Sequence, residues 1–302
     1  MTDTNRGTGE LLESVMTIDN ADASVATKNR EDLTTLDYDA IVIGAGFAGL
    51  ALIHYLRKLD LNVRVFDRAS DVGGTWAWNH YPGAATDSES YYYCLTFSPE
   101  LLQEWSWTKR YPGREETQSY MRFVADKCDM WPYIQLNTEI VDAQYMEERG
   151  YWQVTTGDGS IFTCKYFISG MGMISEPMIP KIAGMDKFKG PIFHSSRWPT
   201  EGLDYAGKKV GIIGAGATTV QMLPVVAETA GSVKVFQRTP NYILPAMQKS
   251  MTPEWEKEIK SNYDVLLNGI EKYAREHYNM KKDNEVIYII EDQDSLKTKT
   301  NE

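Results

Sequence analysis

The chain has 302 residues, of which 42% are hydrophobic, and its formal net charge is −11. A chain of this length can hold two domains, each with its own apolar core. The acidic balance argues against nucleic acid as a partner, because binding to a phosphate backbone needs clustered Lys and Arg. The three cysteines, Cys94, Cys128 and Cys164, are widely spaced and odd in number, which favours free thiols in a reducing compartment over a disulfide framework.

The ends of the chain carry no targeting signal that we recognise. No charged-then-apolar leader begins the sequence, and no apolar run reaches the roughly 18 to 20 residues that span a bilayer. We therefore predict a cytoplasmic protein without membrane contact. Residues 1–37 are polar and have no sustained periodicity, which predicts a disordered arm. The alternative is a short amphipathic docking segment around Leu11, Leu12, Val15 and Met16.

Residues 38–67 have the pattern strand, glycine turn, helix and strand. The apolar run at 40–43 predicts a strand that is buried on both faces of a parallel sheet. Gly44, Gly46 and Gly49 follow as G-x-G-x-x-G, which permits a tight turn, close approach of a pyrophosphate and close helix packing. Asp67 ends the second strand, where a carboxylate accepts hydrogen bonds from ribose hydroxyls. This context predicts a dinucleotide site.

A long, glycine-bearing aromatic loop follows at residues 71–87. A flat ring system such as a flavin is a natural partner for Trp76 and Trp78; the alternative is that these rings only cap the core. Asp87 is either a functional carboxylate or a turn cap.

Further elements are predicted after this loop. They are a helix at 116–130, a strand at 134–141 and a hairpin with strands at 151–156 and 160–168. The last strand leads into Gly170 and Gly172, where backbone can approach a ligand at the switch point of an open sheet.

The strand, turn and helix pattern returns at residues 209–239. Gly214 and Gly216 match the first two glycines, but Thr219 replaces the third, so this helix is expected to pack less closely. Arg238 follows the second strand in place of an acid, which suits the 2′-phosphate of NADPH. The alternative for Arg238 is a solvated charge. The acid-ended first site and the arginine-ended second site predict FAD and NADPH respectively.

The segment between the two sites reads Phe188-Lys189-Gly190-Pro191-Ile192-Phe193-His194-Ser195-Ser196-Arg197-Trp198-Pro199. It resembles the F-x-G-x-x-x-H-x-x-x-W-P fingerprint of the type I Baeyer–Villiger monooxygenases, and every fixed position matches. Related enzymes that oxidise nitrogen and sulfur usually carry another aromatic residue where Trp198 and Pro199 stand, so the ending favours the Baeyer–Villiger branch. Taken alone, His194 is expected to be a linker residue that hydrogen-bonds backbone, with a catalytic role as the alternative. The resemblance to the family implies a structural role that couples two domains.

The resemblance implies roles for individual residues. FAD would be held by Gly44, Gly46, Gly49, Asp67, Thr75, Trp76, Ala77, Trp78, Ala85, Thr86 and Ile140, with Asp87 and Tyr93 near the flavin and nicotinamide rings. NADPH would be held by Gly214, Ala215, Gly216, Ala217, Thr218, Thr219, Val220, Gln221, Arg238 and Thr239. The fingerprint linker comprises Phe188, Gly190, His194, Trp198 and Pro199. Asp87 is the candidate catalytic residue, and no metal is expected.

The predicted fold class is α/β, with two Rossmann-like dinucleotide-binding domains of which the second, and the return to the first, are incomplete. The predicted divisions are a disordered arm at 1–37, an FAD domain at 38–187, a linker at 188–200, a partial NADPH domain with a helical segment at 201–290, and a polar tail at 291–302. The implied reaction inserts one oxygen atom of O2 next to a ketone carbonyl, after NADPH has reduced FAD, and gives an ester or lactone. The alternatives are an N- or S-oxygenating flavin monooxygenase and a truncated, non-catalytic nucleotide-binding fragment.

The sequence after the second glycine unit offers only one amphipathic helix, predicted at 253–278, and a short apolar run at 286–290. A doubly wound domain needs more strands, so we expect an exposed sheet edge and apolar surface. In the family, the arginine credited with stabilising the oxygenated flavin lies in a later part of the chain, and no residue here matches it. We therefore expect this chain alone not to complete a monooxygenase cycle. The sequence does not identify the ketone or the oligomeric state.

Overall fold

The structure is a computed structural model and describes residues 36–174 and 176–267. Nearly all of the predicted N-terminal arm lies outside these residues, as do the apolar run at 286–290, the polar tail and the last part of the helix predicted at 253–278.

The larger sheet has six strands in the order β3-β2-β1-β6-β5-β4. Their bounds are Tyr38–Ile43 (β1), Val63–Phe66 (β2), Ile134–Gln135 (β3), Ile140–Met146 (β4), Tyr151–Thr156 (β5) and Ile161–Ser169 (β6). β1, β2, β3 and β6 run parallel, and β5 and β4 extend the sheet in antiparallel fashion. Because β2 and β6 flank β1 on opposite sides, the carboxyl end of β1 is the switch point at which open α/β sheets bind ligands.

Helices accompany both sheets. They are Phe47–Lys58 (α1), Thr75–Trp78 (α2), Pro99–Glu104 (α3), Arg114–Lys127 (α4), Ala217–Thr229 (α5) and Pro253–Ser261 (α6). A second sheet pairs Lys209–Ile213 (β7) in parallel with Ser232–Phe236 (β8). The described residues thus form an α/β fold with a mixed sheet and a two-stranded parallel sheet.

The predicted burial of β1 on both faces is confirmed. Ala40 and Val42 lie in one apolar cluster with α1 and α4, whereas Ile41 lies in a second cluster with Phe66 and Val154. The three β1 residues are fully buried, and they alternate between the two clusters because successive side chains of a strand point to opposite faces. The strand therefore holds the following glycine turn on a rigid base.

Three predicted elements differ from the observed ones. The helix predicted at 116–130 begins earlier, at Arg114, and ends at Lys127, and the loop at 71–87 contains the short helix α2. The strand predicted at 134–141 is two strands, because Asn137 has a φ of 52° and its backbone N–H donates to the Ala69 carbonyl. A residue in this left-handed region turns the chain and cannot continue a strand.

The helix α6 packs against the part of the chain that contains the first sheet and not against the second sheet. Its Ile259, together with Tyr263, packs against Leu102 of α3. The predicted division placed this helical segment with the NADPH domain at 201–290. Its apolar face is instead buried on the first unit, and burial of apolar area is the main force that positions a short amphipathic helix.

The second sheet leaves apolar side chains accessible within the described part of the chain. Ile213 is 65% exposed and Phe236 is 56% exposed. The expected exposed apolar surface is therefore present at this sheet. Among residues 36–174 and 176–267, no helix has both the length and the apolar character needed to cross a bilayer.

Two thiols give a testable pH dependence. Burial raises the pKa of Cys94 to about 12 and that of Cys164 to about 11, from a usual value of 9.0. The neutral thiol is favoured in the folded state, so this stabilisation is present below pH 9 and is lost as the pH rises toward these values. We expect the free energy of unfolding, measured in urea, to fall between pH 8 and pH 10. Cys94 alone should account for about 1 kcal/mol of this fall. The Cys94→Ala/Cys164→Ala variant should show a smaller fall; an equal fall in both proteins would contradict the assignment.

Candidate functional site

The first glycine turn lies at the switch point. Gly44 has a φ of 100°, and a Cβ there would lie 2.5 Å from the Gly170 carbonyl oxygen. A Cβ on Gly49 would overlap the Gly44 carbonyl oxygen, so α1 approaches the turn as closely as a helix can. Gly46 precedes α1 without any side-chain cap and without an acidic residue in the first turn. The turn therefore leaves the N-terminal end of α1 suited to a phosphate group.

Asp67 lies beneath this turn and is 7% exposed. Its Oδ2 accepts a hydrogen bond from the Ala45 N–H at 2.6 Å, and its Oδ1 accepts one from the Ala69 N–H at 2.8 Å. The carboxylate thus fixes the turn to the end of β2. Each oxygen retains a second acceptor direction, so the ribose contact stays a prediction.

A second glycine loop faces the first turn. Gly74 has a φ of 54°, and a Cβ there would lie 3.0 Å from the Gly46 Cα. The predicted flavin-side residues Thr75, Trp76, Ala77 and Trp78 form the helix α2 immediately after it. Two backbone segments without side chains therefore meet next to the α1 N-terminus, which only glycine permits at this distance.

The two tryptophans of α2 have different surroundings. Trp76 is 6% exposed within the main core cluster, and its Nε1–H donates to the Tyr93 hydroxyl at 3.1 Å. This favours the alternative of a packing role for Trp76. Trp78 is half-buried, and its ring lies between the guanidinium groups of Arg68 and Arg197 at 5.1 and 5.3 Å. Trp78 is thus the ring that lines an open cleft, together with Arg68, Arg197, Asn137 and Glu139.

Asp87 is exposed at the end of the aromatic loop. The neighbouring Thr86 is buried, and its N–H donates to the Pro112 carbonyl at 3.0 Å. Burial raises the pKa values of Tyr81 and Tyr93, and the negative charge of Asp87 raises both further. The structure therefore brings Asp87 and Tyr93 into one electrostatic neighbourhood beside the core.

Ile140 begins β4 and is half-buried. It packs against the cluster that contains Ile41 and Phe66. Its predicted contact with the adenine end of FAD stays a prediction.

The second glycine turn repeats the first with one change. Gly214 has a φ of 110°, and Gly216 precedes α5 in an extended conformation with no side-chain cap. Thr219 occupies the position of the third glycine, and its hydroxyl donates to the Gly214 carbonyl at 3.1 Å. The Gly214 carbonyl is the equivalent of the Gly44 carbonyl that Gly49 approaches in the first turn, so the second turn leaves room for a side chain at this position. Arg238 and Thr239 lie exposed beyond β8.

The other predicted NADPH residues fall into two groups. Ala215, Ala217, Thr218 and Val220 lie around the turn and the first turn of α5. Gln221 is different, because its side-chain amide is hydrogen-bonded to Tyr81 and to Ala85 in the aromatic loop.

The fingerprint linker lies on the surface with few buried side chains. Phe188 is exposed, and its ring covers Gly190 so closely that a Cβ there would lie 2.7 Å from the ring. The His194 Nδ1 accepts from the Ser196 N–H at 3.2 Å, which caps a short 3₁₀ turn at Ser195–Arg197. Trp198 packs against the apolar cluster under β7 and α5, and Pro199 follows it. These contacts are local, and they fit a structural role for His194.

The comparisons with known proteins cover most of the chain. Residues 39–295 match the model of the family described as "FMO-like: Flavin-binding monooxygenase-like". The chain belongs to this family. It is 44% identical over 234 residues to an acetone monooxygenase (methyl acetate-forming) from Gordonia sp., and 42% identical over 234 residues to the phenazine N-monooxygenase PhzNO1 from Lysobacter antibioticus. These alignments cover 78% and 77% of this chain.

The match to solved structures has the same extent. A crystal structure of cyclohexanone monooxygenase from Rhodococcus sp. Phi1 bound to NADP+ aligns with a TM-score of 0.74 at 38% identity, over 78% of this chain and 44% of that one. The chain likewise spans 44% of the acetone monooxygenase and 43% of the phenazine N-monooxygenase. This member of the flavin-binding monooxygenase-like family therefore spans somewhat less than half the length of these relatives.

Some residues of this family member were missed by sequence reasoning. Arg68 and Arg197 flank Trp78, and the Glu176 carboxylate bridges them at 2.6 and 3.5 Å. Arg197 occupies a variable position of the fingerprint, and Arg68 directly follows Asp67. The signal in the sequence that could have identified these two arginines is their position next to a recognised motif. No group of three or more His, Cys, Asp or Glu that could hold a metal occurs in the described segments.

Proposed function

We propose that this chain supplies the FAD site, and the first strand-turn-helix-strand unit of the NADPH site, of a Baeyer–Villiger-type monooxygenase. The two units are proposed to be Rossmann-like dinucleotide-binding domains, with the second domain and the return of the chain to the first incomplete. The substrate class is proposed to be ketones, with O2 as the second substrate and an ester or lactone as the product.

The observation that carries the proposal is the pair of matched glycine turns. Gly44 and Gly214 both have a positive φ, and both turns precede a helix without a side-chain cap. Two such turns in one chain provide two anion-binding helix ends. The first turn follows β1, which pairs with β2, and Asp67 comes directly after β2. The second turn follows β7, which pairs with β8, and Arg238 comes two residues after β8. This difference supports FAD at the first turn and NADPH at the second.

The residues around the first turn fit FAD. The Gly46 and Gly74 backbones are in close contact beside the uncapped N-terminus of α1, where the pyrophosphate is proposed to meet the free N–H groups. Asp67 is held at the end of β2 for the ribose, and the half-buried Trp78 lines the open cleft together with Arg68 and Arg197. When bound, FAD would accept reducing equivalents from NADPH and pass them to O2. The protein's own contribution is to orient the two cofactors, to hold a negative charge at Asp87, and to exclude water with the aromatic loop.

A second function has specific support. The phenazine N-monooxygenase is as similar to this chain as several ketone monooxygenases are. Oxygenation of nitrogen or sulfur is therefore the second candidate, and it uses the same two cofactors. The third candidate is a nucleotide-binding fragment without oxygenation activity.

A product screen separates the three candidates. The FAD-loaded chain is supplied with NADPH, O2 and, in separate reactions, cyclic and linear ketones, aromatic amines and sulfides, and the products are identified by mass. An ester or lactone would support ketone oxygenation and overturn the expectation that this chain alone does not complete the cycle, whereas N-oxide or sulfoxide without ester would support the second candidate. NADPH-dependent bleaching of bound FAD without oxygenated product would agree with the proposed role of the chain as part of the enzyme, and no reduction of FAD would support the third candidate.

The selectivity for NADPH gives a further test. We expect Arg238→Ala to weaken NADPH binding about tenfold or more and to leave NADH binding unchanged, because an exposed arginine gains a charge-assisted bond to the 2′-phosphate. The matched control is Lys234→Ala, which removes the same charge from the middle of β8. Affinities measured by fluorescence titration decide the point. Equal affinity of the unmodified chain for NADPH and NADH would rule out the assignment of Arg238.

A further inference from the structure

The side chain of Gln221 connects the second dinucleotide unit to the aromatic loop. Gln221 lies in the second turn of α5. Its Oε1 accepts from the Tyr81 hydroxyl at 2.8 Å, and its Nε2 donates to the Ala85 carbonyl at 2.8 Å. The Ala85 N–H lies 3.4 Å from the same Oε1. One amide therefore holds both backbone groups of Ala85 and a tyrosine hydroxyl.

The backbones at this junction are also in close contact. A Cβ on Gly83 would overlap the Gln221 carbonyl oxygen, and the φ of Gly83 is 77°. Glycine at this position thus lets the loop approach α5 without a side chain between them. The contact between loop and helix includes both backbone packing and the Gln221 amide.

The clamped segment leads directly to Asp87. Ala85 pairs with Gly113 in an isolated bridge, and the Thr86 N–H donates to the Pro112 carbonyl. The loop is thus held on one side by the segment before α4 and on the other by Gln221. Asp87 follows two residues after Ala85 and lies exposed at the end of this support.

We propose that Gln221 is a positioning residue that holds Asp87 in place from the second dinucleotide unit. The proposal rests on the proposed function, and it replaces the role of a nucleotide ligand for Gln221. An amide has two donor hydrogens and one acceptor oxygen, and here the oxygen and one of the hydrogens bind the loop. A change at the α5 turn on nucleotide binding is thereby transmitted to the loop through the Gln221 amide, beside the backbone contact at Gly83.

The test compares Gln221→Met with the matched control Gln248→Met. Methionine has a similar shape and length but cannot make these hydrogen bonds. Gln248 makes the same kind of two-sided clamp, accepting from the Tyr111 N–H at 3.1 Å and donating to the Tyr111 carbonyl at 2.7 Å. Hydrogen exchange of the FAD-free chain is measured by mass spectrometry. We expect amide exchange in the peptide covering residues 81–87 to accelerate about tenfold in Gln221→Met, since three hydrogen bonds are lost, and to change much less in Gln248→Met.

A smaller variant keeps the test informative if Gln221→Met folds poorly. Tyr81→Phe removes one hydroxyl bond and should give a smaller acceleration. The double variant Tyr81→Phe/Gln221→Met should exchange no faster at residues 81–87 than Gln221→Met does, because both substitutions remove the same hydrogen bond. Unchanged exchange at 81–87 in both single variants would overturn the proposal.

A second readout separates positioning from nucleotide binding. In the FAD-loaded chain, Gln221→Met should slow the limiting rate of flavin reduction by NADPH about tenfold while the dissociation constant for NADPH stays within about threefold. A raised dissociation constant with an unchanged limiting rate would instead identify Gln221 as a nucleotide ligand and overturn the proposal. If the unmodified chain does not take up FAD, the proposed function fails. The hydrogen-exchange comparison then decides by itself whether Gln221 holds the loop at residues 81–87.

Discussion

Gly49→Ala is expected to abolish FAD binding. Alanine is the better helix former, so without a clash this change would stabilise α1 by up to about 1 kcal/mol. The added methyl group would instead overlap the Gly44 carbonyl oxygen and lie 3.0 Å from its carbon. Backbone atoms at the end of a buried strand cannot move away at low cost, so we expect α1 to shift from the turn. The expected loss of FAD affinity is about 3 kcal/mol or more, or a factor of at least about 100.

The matched control for Gly49→Ala is Thr219→Ala, which places the same side chain at the equivalent position of the second turn. That position already accommodates a larger side chain, so only the hydroxyl bond to Gly214 is lost. We expect a change of about 1 kcal/mol in unfolding stability and no change in FAD affinity. FAD titration and urea unfolding measure both effects. If Gly49→Ala bound FAD as tightly as the unmodified chain, the close contact at the first turn would have no role in the site.

Asp87→Ala is expected to slow reduction of bound FAD by NADPH about a hundredfold, with FAD affinity within about threefold. Asp87 is exposed, and its charge acts on two tyrosines of the same neighbourhood, Tyr81 and Tyr93. A negative charge near the reacting rings affects the rate of transfer and not the binding of FAD. Stopped-flow absorbance measures the rate, and equilibrium titration measures the affinity.

The control for Asp87→Ala is Asp158→Ala. Asp158 is a turn acid that accepts from the Thr156 hydroxyl and the Ser160 N–H in the hairpin between β5 and β6. Its removal loosens a turn without affecting the rate of flavin reduction. An unchanged rate in Asp87→Ala would return Asp87 to the role of a turn cap.

The backbone of the candidate site could be predicted from sequence because glycine spacing determines it. Gly44 and Gly49 each stand where a side chain would strain the turn or overlap backbone, and Gly46 lies against the Gly74 backbone. The replacement of the third glycine in the second turn also predicted the looser packing there, and Thr219 indeed has room for its side chain. The residue type at such a position is determined by steric contacts with its neighbours in the chain and with the adjacent strand.

The long-range side-chain contacts could not be predicted in the same way. Gln221 has the place of a nucleotide ligand in the motif, yet its partners Tyr81 and Ala85 are far away in sequence. Trp76 and Trp78 are two residues apart and have different surroundings, because the core of the first unit accommodates only one of these rings. The placement of α6 on the first unit depends on which apolar surface is available, and no local pattern encodes that choice.

The central claim is that the first glycine turn binds FAD and the second presents NADPH to it. The most direct measurement incubates the chain with excess FAD, removes free FAD, and follows the visible flavin absorbance under anaerobic conditions while NADPH or NADH is added. We predict retained flavin absorbance that bleaches faster with NADPH than with NADH. A chain that retains no flavin, or whose flavin bleaches equally with both nucleotides, would contradict the claim.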